Sequence, residues 1–148
     1  MDPRSLFLEK GMAEKGKPTG PVLVLSNPKD GTARTIPLTP QQISLLRGKR
    51  IGDEIAAAAL GLGGGKIRIT GGSDRAGFPM RSDISGSRLV SVLLTRGVGF
   101  HARRKPPSKR KKDRNRRPVK GLKKRVTVRG NVISDEIAQI NALLIQEG

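Results

Sequence analysis

Apolar residues in this chain fall in short runs, broken by glycine, proline, asparagine and aspartate. Residues 21–26 (PVLVLS) show little alternation, the pattern of a strand buried on both faces or of one opening a closed sheet. Asn27-Pro28-Lys29-Asp30-Gly31 has the turn chemistry to reverse it, so residues 32–38, with Ile36 and Leu38, are expected to pair back as a hairpin. Thr39-Pro40-Gln41-Gln42 is a capping box with proline at the first helical position. It predicts a short helix bearing Ile43, Leu45 and Leu46 and closed by Gly48. A second helix is expected from about Asp53 through Ile55 and the alanine run to Leu60, ended by Gly61 and the glycines after it. Its alanines would let it pack closely on a sheet.

Residues 66–70 alternate with period two, a half-buried strand with Lys66 and Arg68 facing out. Residues 71–77 (GGSDRAG) read as a long turn whose glycines take positive φ. Residues 89–94 (LVSVLL) and 126–128 (VTV) are further strands, with Gly130-Asn131 as a bulge and Asn131 as a polar anchor. Two patterns compete after Ser134. Ser134-Asp135-Glu136 looks like a helix start, and Ile137, Ile140, Leu143 and Leu144 keep helical spacing, yet residues 142–145 fit a strand equally well. Together these elements predict a mainly β fold with minor α: a small six-stranded, barrel-like domain with one or two short helices. Residues 1–20 form a flexible N-terminal extension, and residues 21–148 a single domain interrupted by a basic arm at 103–125.

The arm changes the picture most. Its 23 residues hold 14 of the chain's 30 Lys and Arg and one acid, Asp113. It therefore carries +13 of a formal +18, leaving +5 for everything else. Val119 and Leu122 are its only apolar side chains, and Pro106, Pro107, Pro118 and Gly121 interrupt any helix, so the segment is expected to be extended and disordered on its own. Cations at this density match a phosphate backbone, where each contact releases condensed counterions. A solvated linker or a localisation signal is the plainer alternative. The candidates for phosphate contact are Arg103, Arg104, Lys105, Lys109, Arg110, Lys111, Lys112, Arg114, Arg116, Arg117, Lys120, Lys123, Lys124 and Arg125, followed by Arg75, Arg81 and Arg129. The three aromatics are all Phe, with no Trp or Tyr, so contact through phosphates, sugars and shape is expected in place of base reading.

Other chemistry finds little support. With no cysteine there is no disulfide, thiolate nucleophile or Cys-ligated zinc, and the lone His101 has no partner at metal-ligand spacing. In Gly61-Leu62-Gly63-Gly64-Gly65-Lys66 a phosphate-binding loop would need glycine where Leu60 stands and Ser or Thr where Ile67 stands. Gly72 and Gly77 have the right separation, but Phe78 occupies the lysine's place. Neither a dinucleotide fingerprint nor a Ser/His/Asp set can be assembled, and Asp53-Glu54 read as charges favouring a helix N-terminus. No catalytic residue, metal, cofactor, small-molecule substrate or membrane contact is expected, and the longest apolar run, residues 55–60, is too short to span a bilayer. A DNA-packaging protein remains the rival that composition allows, with a nucleotide-dependent enzyme a weaker third.

Residues 69–81 (ITGGSDRAGFPMR) resemble the signature of the sixth small-subunit ribosomal protein of archaeal and eukaryotic type. Residues 50–55 (RIGDEI) before it, and 128–137 (VRGNVISDEI) with 139–141 (QIN) after it, extend the resemblance over about residues 21–146. The resemblance implies a β-barrel bound to ribosomal RNA near the foot of the small subunit, in the cytoplasm, beside neighbouring ribosomal proteins. It also implies that the segment after Ile137 is a strand. Two departures stand out: the arm before Val128 is longer than the family's usual short basic link, and the basic helix and serine cluster of eukaryotic members have no counterpart in these 148 residues. Regulation by phosphorylation there is not carried over.

Overall fold

The computed structural model describes residues 20–101 and 120–145. Residues 1–19 of the expected extension and residues 102–119 of the arm lie outside the described part. The elements run β1 (Val22–Asn27), β2 (Thr32–Pro37), α1 (Pro40–Leu46), β3 (Glu54–Ala56), a 3-10 turn (Ala57–Leu60), β4 (Lys66–Asp74) and β5 (Leu89–Leu94). They continue through β6 (Arg96–Gly97), β7 (Phe100–His101), β8 (Lys124–Arg129) and β9 (Ile137–Ile145).

The main sheet has the order β2-β1-β9-β4-β3, and β9 is its middle strand. β9 runs parallel to β1, with Leu23 opposite Ile140, and antiparallel to β4, with Ile69 opposite Ala142. The ambiguity after Ser134 is thereby resolved as a strand. Helical spacing of Ile137 and Ile140 also serves a strand here, because the β4–β9 register shifts between Ser73 and Asp74. Leu23, Ile67, Ile69, Ile140 and Ala142 form the buried face of the sheet. Leu46 of α1, Leu60 and Ala57 of the 3-10 turn, Met80 and Ile133 complete the core.

Two of the expected local signals are present as written. Thr39 accepts from the Gln42 N–H and Gln42 Oε1 accepts from the Thr39 N–H at 2.9 Å, with Pro40 opening the helix. The Gln42 amide also donates to the Leu60 carbonyl at 2.8 Å, tying α1 to the 3-10 turn. Leu46 is fully buried, whereas Leu45 stays half exposed. The β1–β2 hairpin pairs without a slip from Val22–Pro37 to Asn27–Thr32.

Several expectations are corrected. The second helix is absent: residues 54–56 pair with β4, placing Ile55 opposite Ile67, and only one 3-10 turn follows before Gly61. A stretch this short gains more from ladder bonds than from alanine's helix propensity, since helix nucleation is unfavourable. Secondly, residues 71–74 are strand and not turn. Thr70 is the extra residue of a bulge between Ile69 and Gly71, and Gly71 and Gly72 then continue the ladder opposite Asn141 and Ile140. Gly72 is needed for close approach: a Cβ there would lie 2.4 Å from the Gln139 carbonyl oxygen. Thirdly, the described strands do not close into a barrel. They form one open five-stranded sheet and two two-stranded ribbons, β5-β8 and β6-β7. Among the described residues nine strands stand where six were expected, because β3, β6 and β7 are too short to show a period. Gly130-Asn131 is likewise not a strand bulge, although Asn131 is the anchor expected of it, accepting from Gly86 N–H and donating to the Ser82 carbonyl.

Two predictions follow from the place of β9. Stopping the chain at Asp135 removes buried Ile137 and Ile140, each worth roughly 1.5–3 kcal/mol of burial, together with the ladder partners of β1 and β4. Cooperative thermal unfolding is expected to vanish; a melt like that of the intact chain would make β9 peripheral. Gly72→Ala is expected to destabilise by about 1–3 kcal/mol through overpacking, read as a lower urea midpoint at unchanged slope.

Candidate nucleic-acid interface

The motif from Ile69 to Arg81 folds around one buried carboxylate. Asp74 ends β4 at 5% exposure, and its Oδ1 accepts from the Phe78 N–H at 2.8 Å while its Oδ2 accepts from Arg129 Nε at 3.0 Å. Its backbone N–H also donates to the Phe78 carbonyl, and Gly77 closes the turn at φ +90°. Residues 75–77 are thus a tight turn held from inside, with Arg75 on the outside.

Arg129, the last residue of β8, is only 6% exposed. Besides Asp74 it donates from Nη1 to the Ser87 carbonyl at 3.0 Å, and its Nη2 pairs with Glu136. Its backbone N–H donates to Pro79 and its carbonyl accepts from Arg81, both at 2.9 Å. Arg129, expected to touch phosphate, has a guanidinium that is buried and bonded to Asp74, Ser87 and Glu136, and these contacts join β4, β8 and the turn before β9. Burial pushes the Asp74 carboxyl up, but the Phe78 N–H, the Arg129 guanidinium and the Ala76 N–H outweigh it and hold the group below its ordinary value.

Arg81 leaves this core toward solvent. Nε and Nη2 donate to the two oxygens of Asp83 at 2.9 and 2.7 Å, and Nη1 donates to the Val98 carbonyl at 2.8 Å. The hydrogen bond from Arg81 holds the Asp83 carboxyl below its ordinary value, and the same bond raises Arg81 further. Arg75 is freer, with one long contact of 3.5 Å from Nη2 to the Asp135 carbonyl.

In chain order the arm falls between β7 of one ribbon and β8 of the other. The segment from 102 to 119, which holds Arg103, Arg104, Lys105, Lys109, Arg110, Lys111, Lys112, Arg114, Arg116 and Arg117, lies between β7 and β8 outside the described residues. Lys120 and Lys123 are exposed ahead of β8. Lys124 and Arg125, expected in an extended arm, are instead the first two residues of β8, paired opposite Leu94 and Leu93. On the outward face of the ribbon Leu89 and Leu93 are 45% and 57% exposed. The motif signal missed Arg88 and Arg96, exposed cations beside the same ribbon; their only sequence cue is that they flank the Leu89–Leu94 run. No group of three or more His, Cys, Asp or Glu able to hold a metal occurs among the described residues.

The family model described as Ribosomal protein S6e matches residues 22–148. Among curated proteins, the chain is 41% identical over 111 residues to the small ribosomal subunit protein eS6 of Methanosphaera stadtmanae, covering 75% of this chain and 74% of that one. It is 40% identical over 127 residues to the eS6 protein of Methanoculleus marisnigri, covering 85% and 84%. For the eS6 protein of Haloquadratum walsbyi the figures are 38% over 124 residues, with 84% and 68% covered.

The Asp74–Arg129 pair makes a pH prediction. A carboxyl whose folded pKa lies below its ordinary 3.8 stabilises the fold above that value, and the contribution is lost as pH falls through the lowered one. Asp74→Asn is expected to cost about 3–5 kcal/mol at pH 7, since it leaves Arg129 buried without its full partner. Urea midpoints measured from pH 7 down to pH 2 should converge for the two proteins below about pH 3.8. A constant gap across that range would show that the carboxylate charge is not what holds Arg129.

Proposed function

Because this chain belongs to the ribosomal protein S6e family, we propose that it is a structural constituent of the small ribosomal subunit, holding ribosomal RNA through its basic arm and the surface at the arm's root. The family match over residues 22–148 carries this reading, and the charge distribution supports it. Thirteen of the eighteen net positive charges lie in residues 103–125. The body positions and the arm binds.

The bulk of the grip is electrostatic: Arg103 to Arg117 and Lys120, Lys123, Lys124 and Arg125 neutralise phosphates, with Arg75 a lesser contributor from its exposed turn. Contacts to phosphate fix register and orientation without reading sequence. The protein would then work in the cytoplasm as part of the ribosome, beside neighbouring ribosomal proteins, in support of assembly and translation. The role is structural and requires no catalysis. The family match lends nothing to DNA packaging, which rested on composition alone.

Replacing residues 103–124 by a Gly/Ser linker of equal length tests the division of labour. If about six arm residues neutralise phosphates, log K falls against log salt with a slope near −4 to −5 from the arm alone. That is roughly a three-hundredfold to thousandfold loss of affinity for small-subunit RNA between 50 and 200 mM salt. The linker variant is expected to fold normally, bind weakly at every salt concentration and lose most of this slope. Equal slopes and affinities for the two proteins would make the arm a solvated linker.

A further inference from the structure

Arg81, like Arg129, has all three guanidinium nitrogens bound within the fold, but its side chain is the more exposed of the two, 17% against 8%. An arginine in a basic surface ordinarily turns its N–H edge to a phosphate. The edge of Arg81 is already taken, with Nε and Nη2 on Asp83 and Nη1 on the Val98 carbonyl. Three fixed bonds at 2.7–2.9 Å set the plane of the guanidinium. A fixed guanidinium offers its flat face, and such faces stack on nucleobases as aromatic rings do. The chain has no Trp and no Tyr and only three Phe, so aromatic stacking surfaces are few.

Beside it lies a cavity of about 290 Å³ lined by Ile51, Thr70, Met80, Ser82 and Val98 along with the Arg81–Asp83 pair. This is the small end of ligand cavities, suited to one heterocycle and not to a helix or a strand. Ile51, Met80 and Val98 supply apolar walls, while the Ser82 hydroxyl can meet the polar edge of a ring; the Thr70 hydroxyl already donates to the Asn141 carbonyl at 3.1 Å. Asp83, with its side chain 59% exposed, repels a phosphate at the same mouth. Gly97 lines the cavity too, and a Cβ there would sit 3.7 Å from Arg81 Nη1, in ordinary van der Waals contact.

We propose that this cavity receives a single unpaired RNA base, stacked on the Arg81 plane that Asp83 and the Val98 carbonyl hold in place. The inference rests on the RNA-binding reading above and adds a base contact to a protein otherwise expected to touch only the backbone. Asp83 is a positioning residue here, and Arg81 makes the contact. The arm supplies the affinity that brings any RNA close; the cavity selects an extruded base.

The test uses the full chain and two RNA hairpins, one with a single bulged adenosine and one with an abasic sugar at the bulge. With the adenosine hairpin, ring current from the base is expected to shift the methyl resonances of Met80 and Val98. The abasic hairpin should leave them in place and bind roughly 5- to 100-fold more weakly, as expected for one lost stacked base. Arg81→Lys keeps the charge and removes the plane, so it should abolish the methyl shifts and equalise the two hairpins. Free AMP, at the concentration where the hairpin saturates, should leave both methyls unmoved. AMP shifting them as strongly would overturn the RNA assignment in favour of a free-nucleotide site. Tight binding of both hairpins with equal affinity, or with static methyls, would overturn the stacking site while leaving RNA binding intact. Failure to bind either hairpin would instead sink the reading on which the site rests. Should Arg81→Lys not fold, the comparison of the two hairpins on the unaltered chain decides alone.

Discussion

The buried ion pair between Asp74 and Arg129 is the constraint on which the arrangement of the other parts depends. Each partner comes from a different sheet: Asp74 from the end of β4, Arg129 from the end of β8. Isolating either charge in the interior would be severely unfavourable, and their mutual attraction alone barely offsets desolvation. What makes the pair tolerable is the set of hydrogen bonds around it, from the Phe78 N–H to Asp74 and from Arg129 to Ser87. These bonds are also the ones that shape the Arg75 turn and start the β5–β8 ribbon. A pair of this kind is weak as a source of stability, yet it specifies geometry: a misplaced ribbon would leave two buried charges unmet.

That geometry separates two kinds of cation that look alike in a charge count. Arg129 is spent inside the protein, and Arg81 has its edge bound within the fold. Arg75, Lys124 and Arg125 stand exposed. The sheet itself needs few charges; on its outer face Arg68 meets Glu54 across the β3–β4 pair, with contacts of 2.6 and 3.1 Å to Oε1. Exposed pairs of this sort contribute little to stability. Their effect is to neutralise the body locally, so that the positive field is concentrated at the arm.

How much of this was legible in the sequence depends on the range of the interaction involved. The Thr39 cap and the Asn27–Gly31 reversal were readable because their partners lie within five residues. The stretch 53–60 was misread because the winning partner of Ile55, Ile67, lies on another element. Tail residues 137–145 were ambiguous to periodicity and became a strand through pairing with β1, more than a hundred residues earlier. Closure into a barrel was inferred from strand number, but closure is decided by which edges meet, and β2 and β3 remain at the two edges of the main sheet. Arg129 illustrates the limit for the interface. Nothing in a run of cations marks the one whose carboxylate waits 55 residues upstream. The cavity beside Arg81 had no sequence signal, since Ile51, Met80 and Val98 converge only in space.

The parallel pairing of β1 with β9 has a consequence for the order of events during synthesis. A parallel neighbour cannot be supplied by a hairpin, and the strand that completes the middle of this sheet is made after all the other described elements. Until it emerges, the β1–β2 hairpin and the β3–β4 pair have no common core, while residues 103–125 are already out and already cationic. Topologies dominated by such distant contacts fold slowly, because the loop must close before any contact rewards it. A nascent chain of this protein therefore spends its vulnerable interval with apolar strand edges open and a polycation exposed to every polyanion nearby. Early engagement of the arm by an anionic partner would shield the charge but leave the sheet unfinished, so an escort for the unclosed strands would have to act before the final nine-residue strand docks.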